Sequence, residues 1–75
     1  MSAVQERISQ FRKMANDDPD NELGHFSLGK ALMEAGEHQQ AIQSFRRTLD
    51  LSPQFKLLLE PFVPNLATRA ADRPV

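Results

Sequence analysis

Between residues 22 and 51, two stretches of helical period are separated by little more than Gly36. Ahead of it Leu28, Ala31, Leu32 and Ala35 recur at helical spacing, and behind it Ala41, Ile42, Phe45 and Leu49 do the same. Glycine adopts the left-handed backbone conformation that ends a helix at little steric cost. Two helices joined so tightly must fold back on one another, so the centre of the chain is predicted to be an antiparallel helical hairpin. The first of the pair starts near Asp20 or Asn21, either of which can cap it, and runs to about Ala35. The second runs from about Glu37 to Leu51, with Gln39, Gln40, Gln43, Arg46 and Arg47 outside its apolar stripe.

An earlier segment carries the same period. Val4, Ile8, Phe11 and Ala15 line one face of a helix that Ser2 and Gln5 can open with a capping box. It should stop near Asn16, because Asn16, Asp17, Asp18 and Pro19 form a turn and proline disfavours helix just before it. Downstream, Ser52 can cap and Pro53 can open a short helix reaching about Leu59, with Phe55, Leu58, Leu59 and Phe62 on one side. Pro61 and Pro64 bar a longer one. The expected architecture is therefore all-α: a helical hairpin with an extra N-terminal helix and a short C-terminal helix. Residues 1–64 are read as the domain and residues 65–75, which lack an apolar period, as a flexible tail.

These residues resemble the tetratricopeptide repeat. That pattern asks for a Leu-Gly pair, a large residue three positions on, then Ala-x-x-x-Phe and a closing proline. Leu28 and Gly29 supply the pair, Leu32 the large residue, Ala41 and Phe45 the second-helix positions, and Pro53 the closure. His25 departs from the pattern, standing where a bulky apolar residue is usual. Pro19 precedes Pro53 by 34 residues, the family's period, and the same shift brings Ile8 onto Ile42 and Phe11 onto Phe45. The chain thus reads as one complete repeat, about residues 22–55, preceded by half a repeat. The resemblance implies that Gly29 and Ala41 are small where helix backbones cross and that Phe45 fills the gap between them. It also implies that the first helix of the repeat lines a groove for a peptide or partner helix.

A second stripe on that helix, Leu23, Phe26, Lys30 and Met33, is spaced away from the core stripe, and with Glu34 it forms the candidate partner-binding groove. Met33 and Phe26 would offer adaptable apolar contact and Lys30 a charge for a carboxylate. The plainer alternative is that the stripe packs against the protein's own helices. Phe55, Leu58, Leu59 and Phe62 form the candidate self-association face, since nothing obvious covers them.

Composition excludes several classes. Nine basic against ten acidic residues leave a net charge of -1, with no field to attract nucleic acid or an anionic membrane. The longest strongly apolar run is Leu57 to Leu59, far short of the ~20 residues a membrane span needs. With no cysteine and no charged-then-apolar leader pattern, the expected location is cytoplasmic. The acids Asp17, Asp18, Asp20 and Glu22 have part of a calcium-loop rhythm, but Leu23 falls at the turn position that wants glycine and Gly29 where the closing glutamate belongs. Helix capping accounts for them better. His25 and His38 lie on different helices with no cysteine to join them, so no metal or cofactor is expected. No nucleophile, base and orienting group share a recognisable pattern, so neither catalysis nor a small-molecule substrate is expected.

What remains is a protein-interaction module. A domain of this length supplies only about 3 to 5 kcal/mol from its core, and repeat proteins need about three stacked units to bury a continuous one. Self-association would supply the missing neighbour, making a homo-oligomer the leading expectation. The alternative is an adaptor whose groove takes a peptide from a different protein.

Overall fold

The computed structural model describes residues 2–60, and all of their regular structure is helical. Three α-helices, α1 (Ala3–Asp17), α2 (Glu22–Glu34) and α3 (His38–Leu51), are followed by a 3₁₀ turn, Pro53–Phe55, and a single α-turn, α4 (Lys56–Leu59). The fold is all-α. The segment 65–75, read above as a tail, lies outside the described residues.

Each helix begins and ends for local reasons. Ser2 Oγ accepts from the Gln5 backbone N–H at 3.2 Å, the first half of the expected capping box, and Asn21 Oδ1 accepts from Leu23 N–H at 2.9 Å. Helix α2 ends in a Schellman motif: Glu37 N–H donates to Leu32 C=O and Gly36 N–H to Met33 C=O, with Gly36 at φ +82°. Helix α3 has no side-chain cap at Glu37, and Ser52, expected to cap the last segment, is instead buried without a side-chain capping bond.

Helix α2 is the central element, packed on α1 along one side and on α3 along the other. Both contacts are close because glycine sits at each. A Cβ built on Gly24 would lie 3.4 Å from the Ala15 Cα on α1, and one built on Gly29 would lie 2.5 Å from the Phe45 ring on α3. Phe45 is 0% exposed and, with Leu32, Leu28, Ala31, Ala41, Ile8 and Ala15, fills the space between the three helices. Three polar residues, Ser44, Thr48 and Ser52, are buried as well. Thr48 is fully buried, and its hydroxyl donates to Ser44 C=O at 3.0 Å, so the cost of hiding it is met within its own helix.

The C-terminal segment folds onto this core. The Phe26 ring lies 6.2 Å from that of Phe45 and 5.3 Å from that of Phe55, both tilted, forming a relay from α3 through α2 to the 3₁₀ turn. Leu59 is 1% exposed and belongs to the main core.

Candidate functional site

The first candidate is a hollow between α1 and α2. Phe11, Ala31 and Met33 give it apolar walls, and Arg7, Ser27, Lys30 and Glu34 a polar rim, enclosing about 440 Å³. Arg7 Nη2 meets Glu34 Oε1 at 2.6 Å, bracing α1 against the end of α2. Lys30 lies 5.6 Å over the Phe26 ring, a cation–π distance. Beside the hollow His38 Nδ1 approaches Met33 Sδ at 3.0 Å, setting that side chain against the start of α3.

Of the predicted groove residues, Lys30, Met33 and Glu34 come together here, whereas Phe26 and Leu23 do not. Phe26 is absorbed into the aromatic relay, and Leu23 is an exposed side chain in the first turn of α2. Spacing alone put Phe26 and Met33 on one stripe, but they have different neighbours. The contribution of α1, through Arg7 and Phe11, went unread in the sequence. Its signal was the four-residue step between those two positions on a helix known to pack against α2.

The second candidate is the C-terminal face, where the expectation needs correcting. Leu59, expected on an exposed face, is enclosed by the core, and Phe55 is partly covered by Phe26. The residues left open are Leu57 at 76% and Leu58 at 57% exposure. Phe62 lies outside the described residues. Lys56 and Glu60 flank the two leucines, and neither has an ion-pair partner among the described residues.

No family model matches the chain, and neither a curated protein nor a solved structure matches it. The functional reading therefore stands on the geometry.

That geometry bears on several kinds of chemistry. Among the described residues no cluster of three or more His, Asp or Glu side chains is placed to hold a metal ion. His25 Nε2 donates to the Pro19 carbonyl at 2.9 Å, tying α2 to the preceding turn. Among the described residues no helix is long and apolar enough to cross a membrane. Lys13 and Asp17 pair at 2.6 Å on the solvent side of α1, and that hydrogen bond, with the accompanying charge attraction, holds the Lys13 ammonium above its ordinary range.

Proposed function

We propose that this chain is a non-catalytic protein-interaction module that self-associates through its C-terminal face. One observation carries the reading: Leu57 and Leu58 stand side by side in water at the end of the helical stack. The resemblance to a tetratricopeptide repeat supports it, since such units bury their faces by stacking.

A two-fold arrangement fits better than a head-to-tail one. The exposed positions of α1 at the other end are mostly polar, Gln5, Glu6, Arg7, Ser9, Gln10, Arg12 and Lys13 among them, with Met14 as its one exposed large apolar side chain. A leucine face meeting that surface would be poorly matched, whereas the same face on a second copy matches it by symmetry.

Light scattering on size-fractionated protein tests this directly. The intact chain is expected at twice its 8.5 kDa mass, and the variant Leu57→Ser/Leu58→Ser at the monomer mass with its helicity retained. A folded, wild-type monomer at high micromolar concentration would remove the reading.

The hollow between α1 and α2 favours a second reading, an adaptor that takes an apolar peptide side chain against Phe11, Ala31 and Met33. Met33→Ser separates the two: it should reduce capture of a peptide partner and leave the mass in solution unchanged.

A further inference from the structure

On the opposite side of α2 from the Arg7–Glu34 brace, the three helices enclose a second, shallower hollow of about 220 Å³. Its charged lining is of one sign. Arg12 reaches it from α1 and Arg47 from α3, with His25, Gln40 and Gln43 between them, and among the described residues no carboxylate lines it. Leu28 and Leu32, both buried, form the floor.

Basic residues elsewhere in α1 have been given acidic partners: Arg7 has Glu34 and Lys13 has Asp17. Here the arrangement differs. Gln40 Nε2 donates to Glu37 Oε1 at 3.2 Å, and Gln40 Oε1 accepts from Arg12 Nη2 at 3.3 Å. That chain fixes which way the Gln40 amide faces and anchors Arg12 by one N–H, leaving the rest of its guanidinium fork unspent. Arg47 has no hydrogen bond or ion pair among the described residues. A planar fork with several unused donors is the group best suited to gripping an oxyanion through paired hydrogen bonds.

We propose that Arg12 and Arg47 form a clamp for a phosphate monoester, with the Gln43 amide as a neutral donor beside it and Gln40 holding Arg12 in place. The hollow is shallow, so the ligand presents its phosphate end and leaves the remainder outside. Arg12 comes from the helix before the central hairpin and Arg47 from its second strand of helix, so the site exists only when α1 is docked. The proposal does not depend on self-association.

The first probe is inorganic phosphate, titrated into the isotopically labelled full chain and followed by amide and Arg side-chain NMR, against sodium chloride at matched ionic strength. Saturable shifts confined to Arg12, His25, Gln40, Gln43 and Arg47 are expected. Losing charge-assisted hydrogen bonds should weaken the response about tenfold or more in Arg47→Gln and in Arg12→Gln. Both side chains are exposed, so circular dichroism should report an unchanged fold. Response to chloride alone, no saturation by tens of millimolar phosphate, or binding by either variant as tight as that of the wild type would each overturn the clamp. A phosphoserine peptide and its serine counterpart then identify the source. Tighter binding of the phosphopeptide than of inorganic phosphate places the monoester on a protein, and equal binding places it on a small molecule.

Discussion

Replacing Gly29 with alanine probes the closest approach in the fold. The added Cβ would lie 2.5 Å from Phe45 Cε1, 2.6 Å from Cδ1 and 3.0 Å from Cζ. Unstrained carbon contacts fall at about 3.5–4.0 Å, so the ring would have to retreat by roughly 1 Å or α2 and α3 would have to separate. Retreat is blocked, because Phe45 is fully buried and Phe26 stands against it. Overpacking costs about 1–3 kcal/mol, contacts as short as these belong to the upper part of that range, about 2–3 kcal/mol, and alanine's better helix propensity offsets about 1 kcal/mol. A net loss of about 1–2 kcal/mol is expected, a large share of the ~3–5 kcal/mol available to a domain this small. At about 4–8 °C per kcal/mol the melting temperature should fall by roughly 5–15 °C. Gly24→Ala is the matched control. Its Cβ would meet Ala15 at 3.4 Å, an ordinary contact, so helix propensity should leave it neutral or slightly more stable. Urea and thermal unfolding followed by circular dichroism, at one protein concentration, give both values. Equal stability of Gly29→Ala and the wild type, or equal damage from the two substitutions, would refute the packing argument.

Other changes should behave as follows. Gly36→Ala meets nothing within 4 Å, so its cost, about 1 kcal/mol, should come from the φ of +82° alone and appear as a lower urea midpoint. Arg7→Ala removes a half-exposed ion pair and should cost no more than about 1 kcal/mol, a loss that shrinks when melts are repeated in high salt.

The hairpin was readable because its apolar positions recur over several turns, and Leu28, Leu32, Ala41 and Phe45 are buried where the period puts them. Thr48 was missed because an apolar pattern passes over a hydroxyl, although a threonine that bonds its own helix can be buried cheaply. Gly24 was missed for a different reason: a glycine has no side chain to fall on a stripe, and only the nearness of Ala15 reveals what it permits. Around α4 the period had nothing to work on. A 3₁₀ turn followed by one α-turn is too short to define a face, so spacing grouped Leu58 with Leu59 and passed over Leu57, whereas tertiary contact encloses Leu59 and leaves Leu57 and Leu58 open. The groove was half legible, because its α2 side follows from helical register and its α1 side depends on how two helices meet.

The burial of Leu59 means that the sequence period and the folding unit are out of phase. A cut made at Pro53, where the 34-residue register closes, would discard Leu59 along with Phe55, the outer ring of the aromatic relay. The excised segment would retain every residue that resembles the repeat motif and still open its interior to water. Anyone transplanting this hairpin, or splicing it into a longer array, should carry it through at least Glu60 or supply a leucine from the neighbour to close it.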